Sequence, residues 1–176
     1  HKGGGTEQKV TFICKEGTNT YHTKFSIWGF QYAKVETDID LSTAHFESIA
    51  VYSAMEQIGH FSCGNADVNQ LVHNSIWSQK SNFCDVPTDC PTRERAAWTG
   101  DAGVFVDTGI FLEDCYSIFR KWLGECRLMQ YDDGKIANIA PLNSKPSFFS
   151  GLLSGSTGWG DACIIVPYAL YKRYDD

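Results

Sequence analysis

The first third of the chain alternates apolar and polar side chains, and this alternation predicts β-strands. From Thr20 to Ile27 every second residue is apolar, aromatic or Thr, with polar side chains between them, which is the period of a half-buried strand. The pattern breaks at Trp28-Gly29 and resumes from Phe30 to Glu36, and a third candidate strand covers Phe46 to Met55. We expect these segments to be the closing strands of a β-sandwich.

After Asn65 the apolar spacing changes to that of helices. Val68, Leu71, Val72 and Ile76 form a stripe that predicts a core-facing helix ending near Phe83. A second helix is expected to open at Gly100-Asp101 with Asp101 as its N-cap, and a third to run from Asp114 to about Gln130, burying Ile118, Phe119, Trp122, Leu123, Cys126 and Met129. Trp77 and Trp122 lie on helix faces and are expected in the core.

Loops of two kinds separate these helices. Pro87 and Pro91 exclude a regular helix at the start of the segment that follows the first one, and Asp132-Asp133-Gly134 predicts a short turn. Residues 143–158 are rich in Ser, Gly and Pro and predict a long loop, of the kind that often forms an active-site wall. A last helix should begin at Asp161, with Pro167 either kinking it or marking a restart.

Strand-like and helix-like patterns are therefore segregated along the 176 residues. We expect two units, residues 1–56 as the C-terminal strands of a β-sandwich and residues 57–176 as a helical domain. Helices joined alternately by short turns and long loops suit an (α/α) toroid. The chain starts at His1 rather than Met, and we interpret it as a piece of a longer protein whose localisation the sequence leaves open.

Composition narrows the class of partner. The net charge is −6, and 14% of the residues are aromatic. A nucleic-acid partner would require a stripe of basic residues, and the sequence has none. No apolar run is long enough to predict a membrane span. The chemistry suits a neutral polyol such as a carbohydrate better.

The cysteines predict neither a metal nor a cofactor. The chain has seven, unevenly spaced and without a C-x-x-C pair, so zinc and redox-dithiol sites are not expected. Most should be free thiols that pack as small hydrophobic groups. A bridge between Cys84 and Cys90 in an oxidising compartment stays open as an alternative.

The segment from Asp89 to Asp101, with the sequence Asp-Cys-Pro-Thr-Arg-Glu-Arg-Ala-Ala-Trp-Thr-Gly-Asp, carries the candidate chemistry. Its thirteen residues hold three carboxylates, two guanidinium groups and a Trp, with a Pro near the start and a Gly near the end. A Trp ring beside carboxylates and Arg side chains is how proteins hold sugars, because the ring covers the apolar face and the charged groups bind hydroxyls. A pair of carboxyl groups can also cleave a glycosidic bond if one of them is protonated.

This segment resembles the signature of the bacterial α-L-rhamnosidases, family 78 of the glycoside hydrolases, together with the upstream Asp85-Val86-Pro87-Thr88. A second match covers Gly155-Ser156-Thr157-Gly158-Trp159-Gly160-Asp161-Ala162. The resemblance runs from about Tyr21 to the last residue. It implies a β-sandwich followed by an (α/α)6 barrel, of which this chain would hold the first part, and an inverting hydrolysis of terminal α-L-rhamnosides.

The resemblance also implies roles for individual residues. Glu94 falls on the proposed general acid, and the substrate-binding acids fall on Asp89 and Asp101. Arg93 resembles a sugar-contacting Arg, whereas Arg95 is expected to be structural. Trp98 and Trp159 are expected to stack or pack against the deoxy sugar. Asp161 is either a ligand contact or a helix cap.

Glu94 can serve as an acid only under a further condition. The nearby Asp89 and Asp101 favour a protonated Glu94, but Arg93 and Arg95 oppose it. The assignment therefore requires the Arg side chains to face the two Asp residues. The alternative is that Glu94 simply pairs with an Arg across the loop.

Two departures from the family pattern bear on function. Ala97 stands where the family usually has Gly, which would strain the chain by roughly 1 kcal/mol if that residue needs a positive φ. No residue matches the family's general base, so the base is expected beyond Asp176, and the 176 residues alone should be inactive. The alternatives to a rhamnosidase are a non-catalytic rhamnose- or carbohydrate-binding homologue and another glycosidase on the same toroid.

Overall fold

The computed structural model describes residues 8–142 and 154–175, and its regular structure lies after residue 65. The helices are α1 (Ala66–Asn82), α2 (Thr99–Leu112), α3 (Tyr116–Leu128) and α4 (Ala162–Tyr174). Two short strands, β1 (Phe83–Cys84) and β2 (Val86–Pro87), pair antiparallel with Phe83 opposite Pro87. The tight turn between them places Asp85 at a φ of 73°.

Residues 8–56 form neither helix nor strand in this structure, so the three predicted strands are absent from it. Their apolar side chains face solvent, with Phe25 98% and Tyr32 84% exposed. Alternation specifies which face of a strand would be buried, but a strand also needs a neighbour to complete its hydrogen-bonded ladder. Within the described residues these segments have no such neighbour, and the β-sandwich stays a prediction.

A short strap, residues 53–59, attaches the N-terminal part to the helices. The Ser53 amide donates to the Phe83 carbonyl (2.8 Å), and the Ile58 and Gly59 amides both donate to the Leu112 carbonyl (3.0 and 2.9 Å). At Gly59 a Cβ atom would lie 2.2 Å from the Phe111 carbonyl oxygen, so this close approach requires glycine. The boundary predicted between residues 56 and 57 falls inside the strap.

The first helix is confirmed, but its buried face differs from the prediction. Asn65 caps α1 by accepting from the amides of Asp67 (2.9 Å) and Val68 (3.3 Å), as its preference for N-caps leads one to expect. Of the predicted apolar stripe only Ile76 is buried, and Leu71 is 64% exposed. The C-terminal half of α1 carries the buried residues Ile76 and Gln79, so the early turns have no core to face.

Trp77 also lies outside the core, contrary to prediction. It is 46% exposed, and the Lys80 ammonium lies 5.4 Å from its ring centroid. Lys80 in turn pairs with the fully buried Glu113, at 3.4 Å from Nζ to Oε1. The helix face that carries Trp77 therefore presents a cation–π contact at the surface instead of an apolar contact.

The core is built where α2, α3 and α4 meet. The third helix buries the predicted Ile118, Phe119, Trp122 and Cys126, while Leu123 and Met129 are partly buried against the cluster. Phe119 stacks edge-to-face on Phe83 with ring centroids 5.5 Å apart, a favoured aromatic geometry. The Trp122 indole N–H donates to the Ala140 carbonyl at 2.8 Å, so the largest core side chain is also satisfied in its one polar group.

The second helix begins differently from prediction, whereas the fourth begins directly after Asp161 as expected. Helix α2 starts at Thr99, with Trp98 at the N-cap, so Asp101 is an exposed first-turn residue and not the cap. The reason is that the Thr99 amide and hydroxyl both donate to the Asn138 carbonyl (2.9 and 3.1 Å), which places the N-cap at Trp98, three residues before Asp101. Helix α4 runs through Pro167 without a restart.

We predict that Trp122→Phe lowers the free energy of unfolding of the whole protein by about 1–3 kcal/mol, because the buried Ala140 carbonyl loses its donor. Trp77→Phe is the matched control, and its effect should stay within about 0.5 kcal/mol because the ring is half exposed. Urea denaturation measures both. Equal small effects would mean that the Trp122 hydrogen bond does not stabilise the core.

Candidate functional site

The charged segment is closed into a loop by reciprocal hydrogen bonds between Asp89 and Ala96. The Asp89 amide donates to the Ala96 carbonyl (3.0 Å), and the Ala96 amide donates back to Asp89 Oδ1 (3.0 Å). One oxygen of the Asp89 carboxylate is thus committed to the loop, and Oδ2 takes no part in this closure. Asp89 therefore holds the loop together while it remains half-buried at the edge of a cavity.

The chain leaves this loop through a short antiparallel pairing with residues 138–140. The Ala140 amide donates to the Ala97 carbonyl (3.0 Å), and the Thr99 amide donates to the Asn138 carbonyl (2.9 Å). Trp98 and Ile139 are thereby paired as an antiparallel β-bridge. This pairing fixes the orientation in which α2 begins. It also connects the charged loop to the core, since Ala140 is the residue that accepts from Trp122.

Ala97 fits its position without backbone strain. It is 3% exposed and its φ is not positive, whereas nearby Arg95 has a φ of 47°. The left-handed residue of this loop is therefore Arg95 and not the position where the family usually has Gly. The Arg95 guanidinium donates to the Ile27 carbonyl, a contact that agrees with its expected structural role.

The Glu94 carboxylate is held from two sides. The Trp98 indole N–H donates to Oε2 at 2.9 Å, and the Arg93 guanidinium forms an ion pair with Oε1. The Glu94 amide donates to Cys90 Sγ at 3.2 Å, so Cys90 acts as an acceptor within the turn. The Glu94 side chain is 36% exposed.

Arg93 therefore does not meet the condition that the Arg side chains face Asp89 or Asp101, because its guanidinium group pairs with Glu94. Arg93 and Glu94 are adjacent in one tight turn, which brings their charged groups together. Exposure of 59% at Arg93 keeps this ion pair in high dielectric, where such pairs contribute about 0–1 kcal/mol. Arg93 can therefore leave Glu94 at little energetic cost when another anion or a hydroxyl group is offered.

A cavity of about 620 Å³ opens where the end of α1, the first half of α2 and the turn before α4 meet. Its wall contains Asp89 and Asp101, together with Trp159, which lies against Gly100. A Cβ atom at Gly100 would come within 3.0 Å of the Trp159 ring, so the absence of a side chain there permits the ring to pack. A flat ring beside two carboxylates suits a polyol with one apolar face.

The structure separates the remaining predicted residues from this wall. Glu94, Arg93 and Trp98 form their own contact group on the adjacent loop and do not line the cavity. Asp161 occupies the N-cap position of α4 without capping it through its side chain; its Oδ2 accepts from the Gly158 amide at 3.0 Å. That bond orients the turn carrying Trp159. Residues 143–153 of the predicted long loop lie outside the described residues.

Polar residues of α1 also line the cavity, and sequence reasoning missed them. Ser78 and Asn82 lie one helical turn apart on the cavity side, and Thr88 follows on the loop. Their i, i+4 spacing was the one available signal, and no charge or motif marks them. Gln79, 1% exposed, also borders the cavity, and its Oε1 has no hydrogen-bond partner within the described residues.

The thiol beneath Gln79 is chemically inert. Burial raises the pKa of Cys115 to about 12, with a further contribution from the Glu113 carboxylate, so the group stays a neutral thiol at physiological pH. The Gln79 amide nitrogen lies 2.8 Å from Cys115 Sγ.

The described residues contain no cluster of three or more His, Cys, Asp or Glu side chains suited to a metal. Within residues 8–142 and 154–175, no helix has both the length and the apolar character that crossing a membrane requires.

Comparison with known proteins identifies the family. Residues 56–176 match the model of the bacterial α-L-rhamnosidase six-hairpin glycosidase domain. This match covers more than half of the chain and includes the charged loop, the cavity and the four helices of the described residues. The chain belongs to this family.

Curated relatives agree with that membership. An α-L-rhamnosidase of Formosa agariphila is 37% identical over 167 residues, which is 93% of this chain and 17% of the relative. An α-L-rhamnosidase of Streptomyces avermitilis is 34% identical over 94% of this chain and 16% of the relative. The chain thus spans about a sixth of the length of the curated relatives it matches.

Solved structures give the same result. The α-L-rhamnosidase of Streptomyces avermitilis complexed with L-rhamnose superposes with a TM-score of 0.65 at 36% identity, over 71% of this chain and 12% of that one. The α-L-rhamnosidase from Dictyoglumus thermophilum has a TM-score of 0.65 at 34% identity, over 71% of this chain and 14% of its own. The helical architecture described above is therefore that of a six-hairpin glycosidase domain.

We predict that Gly100→Ala displaces Trp159 from the cavity wall, because the new methyl group would lie 3.0 Å from the indole. Acrylamide quenching of tryptophan fluorescence should increase. Gly124→Ala is the matched control, since a methyl group on this α3 glycine would have open space for 4 Å around it, and it should stabilise the protein by roughly 0.5–1 kcal/mol. Identical stabilisation by both substitutions, with unchanged quenching, would contradict the packing described for Trp159.

Proposed function

We propose that the protein to which this chain belongs is an α-L-rhamnosidase that releases terminal α-L-rhamnose from glycosides or polysaccharides with inversion of configuration. The observation that carries the proposal is the arrangement of one loop and one cavity. Asp89 and Asp101 share the cavity wall with Trp159, and Glu94 lies on the loop that Asp89 closes. The names of the relatives support the choice of sugar.

Glu94 is the general acid in this proposal. Its proton passes to the glycosidic oxygen while the bond from that oxygen to the sugar carbon breaks. The second carboxyl group must activate a water molecule on the opposite face of the sugar ring. No residue of this chain matches the family's general base, and the chain spans only about a sixth of the length of its curated relatives, so we infer that the base comes from a part of the protein outside these 176 residues.

The cavity wall would bind the sugar itself. Asp89 and Asp101 accept hydrogen bonds from hydroxyl groups, and Trp159 covers an apolar face. Rhamnose carries a methyl group in place of a hydroxymethyl group, and Phe105 and Val104 supply apolar surface on the same wall. Arg93, released from its exposed pair with Glu94, would donate to another hydroxyl.

The same proposal extends to the fold. We place the four helices in the first part of an (α/α)6 barrel, and residues 1–56 in the closing strands of a β-sandwich. Exposed apolar side chains on both parts support this placement, such as Phe25 at 98%, Leu128 at 75% and Ile164 at 75%. Such groups are expected to be covered by further protein.

A carbohydrate-binding homologue without turnover is the second candidate. The ion pair between Arg93 and Glu94 favours it, because an acid catalyst must donate a proton and a salt-bridged carboxylate carries none. The exposure of that ion pair favours the rhamnosidase, because an exposed pair is weak and a substrate hydroxyl can replace either partner.

Replacing Glu94 by Gln tests the acid directly. In the whole protein, Glu94→Gln should lower kcat by about 10²–10⁴-fold on methyl α-L-rhamnoside, whose leaving group needs a proton. The loss should be smaller on p-nitrophenyl α-L-rhamnoside, whose leaving group departs readily as an anion. Glu125→Gln is the control, because Glu125 pairs with Lys121 on α3, away from the cavity.

Two other outcomes would contradict the proposed rhamnosidase mechanism. A Glu94→Gln variant with unchanged kcat on both substrates would exclude Glu94 as the acid. A whole protein that binds L-rhamnose and cleaves neither rhamnoside would establish the binding homologue.

We also predict that the isolated 176 residues do not hydrolyse p-nitrophenyl α-L-rhamnoside, because the proposed general base lies elsewhere in the protein. The measurement is release of p-nitrophenol, with circular dichroism to verify that the helices form. Turnover at the rate of the whole protein would show that a carboxylate within this chain, such as Asp101, acts as the base.

A further inference from the structure

Trp98 is the residue whose observed contact differs most from its expected role. The expectation places it against the sugar, yet it is not part of the cavity wall, which Trp159 occupies instead. Its indole N–H points to Glu94 Oε2 at 2.9 Å. The polar edge of Trp98, and not its face, is therefore directed at the candidate acid.

The backbone of Trp98 is held on both sides, which fixes the point from which this donor projects. The Trp98 amide donates to the Ala96 carbonyl at 3.0 Å, the residue bridges Ile139, and its carbonyl accepts from the Ala102 amide at 3.2 Å in the first turn of α2. The ring itself is half-buried, and its N–H is engaged by Glu94. Arg93, the other partner of Glu94, is 59% exposed on a long side chain and has no comparable restraint.

We propose that Trp98 is a positioning residue for catalysis, whose indole N–H holds Glu94 Oε2 so that Oε1 is the oxygen that delivers the proton. This inference rests on the function proposed above. With Oε2 occupied as an acceptor and Arg93 moved aside, Oε1 is the oxygen left to carry the proton to the glycosidic oxygen.

The same bond stabilises the charge that the reaction creates. As the bond from the sugar carbon to the glycosidic oxygen breaks, its electron pair stays on that oxygen, which takes the proton from Oε1. Glu94 becomes a carboxylate, and the hydrogen bond from the Trp98 N–H becomes charge-assisted and stronger. A donor placed before the reaction stabilises this charge without reorganising. The water that attacks the sugar carbon gives its proton to the general base.

Trp98→Phe separates this role from stacking on the sugar, because Phe keeps an aromatic face and lacks the N–H. We expect kcat on methyl α-L-rhamnoside to fall by roughly 10–100-fold, with KM changed by less than about threefold. Trp77→Phe is the matched control and should leave both constants unchanged, since Trp77 contacts Lys80 on the surface. A higher KM with unchanged kcat would overturn the proposal and assign Trp98 to sugar binding.

A double-mutant cycle shows whether Trp98 acts through Glu94. Adding Trp98→Phe to Glu94→Gln should reduce the remaining kcat by less than about twofold, because the group that Trp98 positions no longer donates a proton. A reduction as large as in the wild type would overturn the proposal. Full activity of Glu94→Gln alone would instead show that the proposed acid is wrong, so the two failures are distinguishable.

A second substitution covers the case in which Trp98→Phe does not fold. Incorporation of 3-benzothienylalanine at position 98 retains the bicyclic ring and replaces the indole N–H by sulfur. The same loss of kcat at constant KM is expected, and unchanged kcat would overturn the proposal.

Discussion

The antiparallel pairing of residues 97–99 with residues 138–140 is the constraint on which the site depends. It joins the end of the charged loop to the segment that follows α3 through two backbone hydrogen bonds. On one side, Ala140 accepts from the buried Trp122 and so connects the pairing to the core. On the other side, Trp98 is the N-cap residue of α2 and donates to Glu94. The position of the candidate acid is thus set by the core through a short chain of directional contacts.

The site consists of two separate groups of residues. Asp89, Asp101 and Trp159 line the cavity, whereas Glu94, Arg93 and Trp98 contact one another beside it. We propose that the first group binds the sugar and that the second protonates the leaving group. Asp89 connects them, because its backbone and carboxylate close the loop that carries Glu94. Most of both groups therefore lies in one uninterrupted stretch of sequence, from Asp89 to Asp101.

Much of the helical part could be predicted from the sequence. Apolar periodicity predicts the existence of α1 and α3, and the change of spacing after Asn65 predicts where α1 begins. The expectation that Asp101 caps α2 is wrong, because the hydrogen bonds of Thr99 to Asn138 join residues 39 positions apart and leave no local signal. The placement of Trp77 in the core is wrong for a related reason, since its environment is set by Lys80 and the distant Glu113. The strands predicted before residue 56 require neighbours that the described residues do not supply.

The motif identified the candidate site, but its internal geometry could not be predicted. Adjacent residues in a tight turn can point together or apart, and only the structure shows that Arg93 faces Glu94 and that Trp98 presents its N–H. Ser78 and Asn82 could not be predicted either, because uncharged helix residues carry no distinctive signal until a cavity is seen beside them.

The most direct test of the proposed site is a crystal structure of the whole protein with L-rhamnose bound. We expect the sugar between Trp159 and the carboxylates of Asp89 and Asp101, with the oxygen on its anomeric carbon within about 3 Å of Glu94 Oε1 and the Trp98 N–H still on Oε2. A sugar bound away from this wall, or a Glu94 side chain turned from the anomeric oxygen with Arg93 still paired to it, would contradict the proposed site.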